Sequence, residues 1–139
     1  MLEVLKIMSN LCKLIYSDAH EMLGLHERKD NYRLRKLLGF NPAKTAWCAG
    51  FINALLRDRR AKGTGKLLAR SFLKIGRKVK NPQQGDIVVL KRGVLPWQGH
   101  VGLYAGETPT HIQVLGGNQD NQVSLKLYPK KRVLGYRRL

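Results

Sequence analysis

The segment PQQGDIVV, residues 82–89, decides the fold class, because the chain changes character at this point. Upstream of it, apolar residues recur at helical spacing; downstream, short β-rich runs are separated by Gly, Pro and Asn. The downstream pattern predicts strands over residues 86–91, 100–105, 111–115, 122–128 and 133–138. Helices followed by strands are the α+β pattern. We therefore expect N-terminal helices packed on a five- to six-stranded antiparallel sheet or open barrel.

Upstream of this segment, the apolar spacing predicts four helices. They cover residues 2–23, 31–38, 45–63 and 66–75. Glycines are expected near their ends: Gly24, Gly39, Gly63 and Gly76. Thr45 is the expected N-cap of the third helix. That start places Cys48 in the first turn, where free backbone N–H groups and the positive end of the helix dipole favour a thiolate.

The formal net charge of +17, with a pI near 10.4, predicts a polyanionic partner or surface. The basic residues are spread along the chain, which is typical of a folded body with basic faces. A solvated surface that serves solubility is the alternative interpretation. Residues 1–8 have apolar positions interrupted by charges, which indicates an amphipathic helix and no signal peptide. No run approaches the roughly 18 apolar residues of a membrane span.

The two cysteines lie in different contexts, Cys12 on the first predicted helix and Cys48 at the start of the third. A disulfide between them is not favoured, because a reduced pair fits a protein made in the cytosol. A metal site of Cys12, His20 and His26 is disfavoured as well. Cys12 and His20 share a helix face but lie two turns apart, too far for one ion.

Cys48, His100 and Asn118 supply the residue types of a cysteine hydrolase, in that order along the chain. Such an enzyme needs a thiolate, an imidazole that accepts and later donates the proton, and a third group that orients the imidazole. His100 opens a predicted strand and Asn118 follows another. Each residue also has a structural interpretation: an inert core thiol, a strand histidine and a turn asparagine.

Four blocks of the chain, taken in order, resemble the CHAP/NlpC-type papain-like cysteine peptidases. They are residues 45–53 (TAWCAGFIN), 82–89 (PQQGDIVV), 99–104 (GHVGLY) and 115–119 (LGGNQ). The resemblance covers roughly residues 20–139 and is greatest to the small single-domain members among phage endolysins. It implies one catalytic domain over residues 1–139. Its parts are an N-terminal helical part (1–44), the nucleophile helix with the following helix (45–80) and the sheet (82–139).

The resemblance implies that Cys48 is the nucleophile, that His100 is the base and that Asn118 is the third polar group. Many members of the family carry an acidic residue two positions before that Asn, where this chain has Gly116. Glu27, Gln119 and Trp47 are expected as accessory residues. Asp86, which follows a turn glycine, is expected to be a structural hydrogen-bond acceptor.

The same resemblance implies hydrolysis of an amide bond in bacterial peptidoglycan through an acyl-enzyme at Cys48, without metal or organic cofactor. The basic surface would hold the protein at anionic envelope polymers. We expect a monomer that is made in a host cytoplasm and reaches the cell wall after release.

Two alternatives stay open. The charge is also typical of a nucleic-acid-binding protein, although the sequence lacks a helix-turn-helix, zinc-finger or RNA-binding signature. The same fold could also serve an acyltransferase or a toxin effector, in which the acyl group passes to an acceptor other than water.

Overall fold

The computed structural model describes residues 10–139, which form helices followed by a sheet. The helices are α1 (Leu11–Glu21), α2 (Asn31–Leu38), α3 (Cys48–Asp58) and two 3₁₀ helices, Ala69–Lys74 and Lys130–Arg132. The strands are β1 (Arg77–Val79), β2 (Ile87–Lys91), β3 (Gly99–Glu107), β4 (His111–Gln119), β5 (Gln122–Pro129) and β6 (Val133–Arg138).

The six strands of residues 10–139 form one open sheet in the order β1-β6-β2-β3-β4-β5. All neighbouring strands are antiparallel. The predicted α+β class with an antiparallel sheet is therefore confirmed. β1 was not predicted as a strand, because three residues that include two cations carry no alternating apolar pattern. It is held by pairing with β6, from Arg77 opposite Arg138 to Val79 opposite Tyr136.

The sheet buries apolar side chains on both faces. In β2, Ile87 and Val89 pack on the face that carries the helices, whereas Val88 and Leu90 join a second cluster with Tyr104 and neighbouring residues. These four residues of β2 are completely buried. A strand covered on both sides has a continuous apolar run rather than alternation, which explains the IVVL sequence.

Helix α1 packs its apolar stripe against the core through Cys12, Ile15 and Ala19. These positions recur at the spacing of one helix face, as the sequence predicted. The predicted helix over residues 2–23 is described only from residue 10, and its first part lies outside the described residues. The helix ends before Gly24, whose φ of +90° is readily available to glycine.

Residues 24–27 run along the exposed edge of β5. The Gly24 N–H donates to Val123 O (2.8 Å), the Val123 N–H to Leu25 O (2.9 Å) and the Glu27 N–H to Asn121 O (2.9 Å). This pairing covers a sheet edge that would otherwise carry free backbone groups. It also carries the Glu27 side chain towards the start of α3.

Helix α3 begins at Cys48, two residues later than an N-cap at Thr45 would place it. Trp47 is the capping residue and makes no side-chain cap hydrogen bond. Its indole is completely buried, and its φ of −127° is not helical. Burial of Trp47 therefore overrides the capping preference of Thr45. Cys48 still lies at the helix start, now as its first residue.

The other predicted helix ends differ in two places. Helix α3 ends at Asp58, where Arg60 adopts a left-handed φ of +57° and the Ala61 N–H donates to Leu56 O (2.8 Å). This is a Schellman-type end that uses arginine in place of the expected glycine. The predicted helix over 66–75 is the shorter 3₁₀ helix Ala69–Lys74. By contrast, Gly39 closes α2 with φ +84°, as predicted.

Candidate functional site

Cys48 lies at the first position of α3, where the helix packs against β3. The side chain is 5% exposed. The backbone N–H of Val101, the residue that follows His100, is near enough to the thiol to lower its pKa. Burial raises the pKa of the Cys48 thiol, against the effect of the N–H groups of Val101 and Ala49 and the charge of Arg92. The resting form is therefore a protonated thiol, not the thiolate that the helix start alone favours.

His100 lies on β3 with 3% of its surface exposed. Its Nε2 is 2.9 Å from Gln119 Oε1. Burial lowers the pKa of His100 to about 4, and the charges of Arg92, Arg132 and Lys126 act in the same direction. The hydrogen bond with Gln119 opposes the shift. The imidazole is therefore neutral at pH 7 and has a free lone pair.

The hydrogen bonds of Gln119 decide which imidazole nitrogen carries the proton. Its Nε2 donates to Ser124 O (2.8 Å) and Val114 O (3.2 Å), so its Oε1 must face His100. The Tyr128 hydroxyl donates to the same oxygen (3.2 Å). An amide oxygen only accepts, so His100 Nε2 is the protonated nitrogen. The lone pair is then on Nδ1.

An irregularity at the end of β4 places Gln119. The register with β5 shifts between Gly116 and Gln119, and Asn118 within the shift has a left-handed φ of +58°. The strand then turns through Asp120 and Asn121, both at positive φ, as in a two-residue type I′ hairpin. A Cβ at position 116 would lie 2.8 Å from Gln119 Oε1. The absent side chain of Gly116 thus leaves the space that the Gln119 amide occupies.

The hydrogen bond to His100 that the sequence assigned to Asn118 is made by Gln119. Asn118 is half-buried, and among residues 10–139 no hydrogen bond joins its side chain to His100. The register shift explains the difference, because it brings the next residue to the imidazole. Gln119, expected only as an accessory residue, becomes the orienting group of the site.

Glu27 and Trp47 form a buried pair behind Cys48. Trp47 Nε1–H donates to Glu27 Oε1 (3.1 Å), and the indole meets Phe51 edge-on. Close packing with β4 also fixes the indole, since a Cβ at Gly117 would lie 2.6 Å from its ring. Glu27 thus binds the residue before Cys48 rather than His100.

The structure does not bring Cys48 and His100 into a hydrogen bond: within the part of the chain that it describes, none joins the thiol to the imidazole. The contact is through the backbone, at Val101 N–H. Catalytic hydrogen bonds are often long in the free enzyme and tighten with substrate. In this structure the thiol therefore lies near the strand that carries His100, and the two side chains are not yet engaged with each other.

A cavity of about 420 Å³ opens beside His100, Asn118, Gln119 and Tyr128. Tyr128 contributes its hydroxyl and a ring centred 5.3 Å from that of His100. The charged residues of the cavity wall are Arg92, Asp120, Lys126 and Arg132. Tyr128 and the cations Arg92, Lys126 and Arg132 were not expected at the site from the sequence. Period-two alternation along β5 places Lys126 and Tyr128 on one face, but no local signal relates that face to His100.

Asp86 is 1% exposed, accepts two hydrogen bonds from Arg138 (2.9 and 2.7 Å) and one from Gln83 N–H (2.7 Å). Its expected role as a structural acceptor is confirmed.

Cys12 and Cys48 are free thiols. In residues 10–139, no group of three or more His, Cys, Asp or Glu side chains could hold a metal ion.

Among the described helices, none has the length and apolar character needed to cross a membrane. The chain matches no protein-family model, and no curated protein matches it. The assignment of a function therefore rests on the chemistry of Cys48, His100 and Gln119.

Proposed function

We propose that the protein is a cysteine hydrolase of amide bonds, in which Cys48 attacks and His100 transfers the proton. The single observation that carries the proposal is the His100–Gln119 hydrogen bond. It fixes the imidazole with Nε2 protonated and Nδ1 free. A neutral imidazole held in one tautomer, and a thiol at the start of a helix that packs on the same strand, are the base and the nucleophile that nucleophilic catalysis requires.

The reaction begins with the neutral pair. On substrate binding the Cys48 thiol turns to Nδ1 of His100, which takes its proton as the Sγ–C bond forms. The carbonyl oxygen becomes an oxyanion, for which the N–H of Cys48 in the first turn of α3 is one donor. The imidazolium then gives its proton to the amide nitrogen as the C–N bond breaks. The amine leaves and an acyl-enzyme remains.

Deacylation uses the same base. His100 accepts a proton from water, the water oxygen attacks the thioester carbon and the acid product leaves as the thiol is restored. Through both steps Gln119 Oε1 accepts from Nε2–H, so the ring does not rotate. Tyr128 holds the same oxygen from the other side. Gln119 is therefore a positioning residue, with Tyr128 as its support.

The substrate class follows from the resemblance to CHAP/NlpC-type peptidases, and the net charge of +17 agrees with it. We propose amide bonds of peptidoglycan stem peptides as the substrate and a papain-like topology for the fold. The role would then be that of a phage endolysin. Anionic polymers of the envelope would concentrate the protein at the wall.

The test is mass spectrometry of purified peptidoglycan after digestion by the wild type, Cys48→Ser and Cys12→Ser. The second variant is a matched control, since both thiols are free and buried and only Cys48 lies near the strand that carries His100. We expect new fragments, each with one added water, from the wild type and Cys12→Ser alone. Fragments from Cys48→Ser would end the proposal. An amide product in place of a free acid would indicate acyl transfer.

Gln119→Met tests the positioning role on a soluble muropeptide. Loss of the acceptor lowers the pKa of His100 further, because the Gln119 hydrogen bond raises it. We expect kcat to fall about 100-fold, within the range for a misplaced general base. We also expect the acid limb of kcat/KM to move to lower pH. A variant with reduced activity but an unmoved acid limb would indicate that Gln119 only packs.

A further inference from the structure

The wall of the cavity beside His100 carries an excess of positive charge. Three cations and one carboxylate, Arg92, Lys126, Arg132 and Asp120, leave a net charge of +2, and His100 is neutral. The cations come from three different segments: the β2–β3 connection, β5 and the 3₁₀ turn before β6. Their convergence is therefore a property of the fold and not of a local basic run.

The three cations differ in how they are held. Lys126 forms an ion pair with Asp120 (3.0 Å). Arg132 donates to Lys91 O (3.1 Å), and its guanidinium lies 5.4 Å from the centre of the Tyr128 ring. Within the described residues no carboxylate pairs with Arg92 or Arg132.

These charges act on the reacting groups. The charge of Arg92 influences the titration of both Cys48 and His100, and those of Arg132 and Lys126 influence His100. His100 lines the cavity and Cys48 does not, so an anion in the cavity would lie beside the imidazole. Charges that line a cleft with low-dielectric walls raise the local concentration of an oppositely charged substrate.

We propose that this cavity is a carboxylate subsite, in which Arg92 and Arg132 bind a free carboxylate of the peptide whose amide bond Cys48 attacks. The proposal rests on the proposed function and adds one requirement on the substrate: a free carboxylate near the amide bond that is cleaved. A cavity of about 420 Å³ accommodates an amino-acid residue together with its carboxylate. Arginine suits the role, because its planar guanidinium can bind a carboxylate through two parallel hydrogen bonds.

Alkylation of Cys48 tests the subsite without any need for hydrolysis. Iodoacetate and iodoacetamide form the same Sγ–C bond with loss of iodide and differ mainly in charge. Their rate ratio at Cys48, followed by peptide mass spectrometry, therefore reports the charge preference of the site. Cys12 in the same molecule is the internal reference. We expect iodoacetate to be favoured about tenfold more at Cys48 than at Cys12, near the lower end of electrostatic focusing in clefts.

Variants connect the preference to the cavity. Arg92→Gln and Arg132→Gln should each lower the ratio at Cys48 severalfold, and Asp120→Asn should raise it. Lys131→Gln is the matched control, since it removes the same charge from an exposed side chain outside the cavity wall. Three outcomes would overturn the subsite. They are an equal rate ratio at both cysteines, a fall of the ratio in Lys131→Gln as large as in the cavity variants, and no reaction of Cys48 with either reagent.

Two further experiments test whether the site prefers a carboxylate and whether its loss is separable from loss of hydrolysis. The first compares inorganic phosphate with acetate, at equal ionic strength, as protectants of Cys48 against iodoacetate. Far better protection by phosphate would indicate a phosphate site and overturn the carboxylate assignment. A synthetic stem peptide is then compared with its carboxamide form. Cleavage of both at equal kcat/KM overturns the subsite and leaves the hydrolase proposal intact. A raised alkylation ratio without cleavage of either supports the subsite and counts against hydrolysis.

Discussion

Acidification should destabilise this protein through His100. The ordinary pKa of a histidine is 6.5, and burial in the folded chain lowers that of His100 to about 4. Between these values the unfolded chain binds a proton that the folded chain does not. The contribution of neutral His100 to the free energy of unfolding is therefore fully present above pH 6.5. It is lost as the pH falls towards 4. The loss is about 2 kcal/mol at pH 5 and about 3 kcal/mol once both states are protonated.

The assay is urea unfolding, followed by tryptophan fluorescence at several pH values from 7.5 to 5. His100→Asn is the comparison, because asparagine does not titrate. Carboxylates that begin to protonate in this range affect both proteins equally. The difference between the two slopes of the free energy of unfolding against pH therefore isolates His100. We expect the wild type to lose about 2 kcal/mol more than the variant between pH 7.5 and pH 5.

Equal slopes would refute the reasoning. They would mean that His100 takes up a proton in the folded protein near its ordinary pKa. The neutral thiol and imidazole would then not be the resting pair, and a thiolate–imidazolium pair would have to be considered. The m-values of the two proteins should agree, since a changed m-value indicates a changed unfolded or native state rather than a titration.

Two further predictions concern packing and buried charge. Gly117→Ala should destabilise the fold by about 2 kcal/mol, because the new Cβ would lie 2.6 Å from the Trp47 ring. An unchanged melting temperature would show that the ring can move aside without a loss of stability. Arg138→Met leaves the buried carboxylate of Asp86 without its bidentate partner and should lower the free energy of unfolding by about 2 kcal/mol. The loss should be smaller than for a fully buried ion pair, because Arg138 is partly exposed. Arg59→Met, which breaks an exposed pair, is the control and should change stability little. Equal losses in the two arginine variants would contradict the burial argument.

The sequence by itself determined the order of helices and strands, the α+β class and the position of Cys48 at a helix start. These features follow from local signals. Apolar spacing, β-rich runs and turn residues act over a few neighbours and can be read directly from the chain. Where the local signals competed with burial, they failed, as at the Thr45 cap that Trp47 replaced.

Only the tertiary structure decided which amide meets His100. Asn118 and Gln119 are adjacent and chemically alike, and the register shift in β4, together with the space at Gly116, selects Gln119. It also decided the charge state of the site, because desolvation depends on all surrounding elements and outweighs the helix dipole at Cys48. The cations of the cavity are distant in sequence and converge only when the sheet forms. Through-space burial and register have no local signature, so the sequence indicated candidate residues of the site but not their final arrangement.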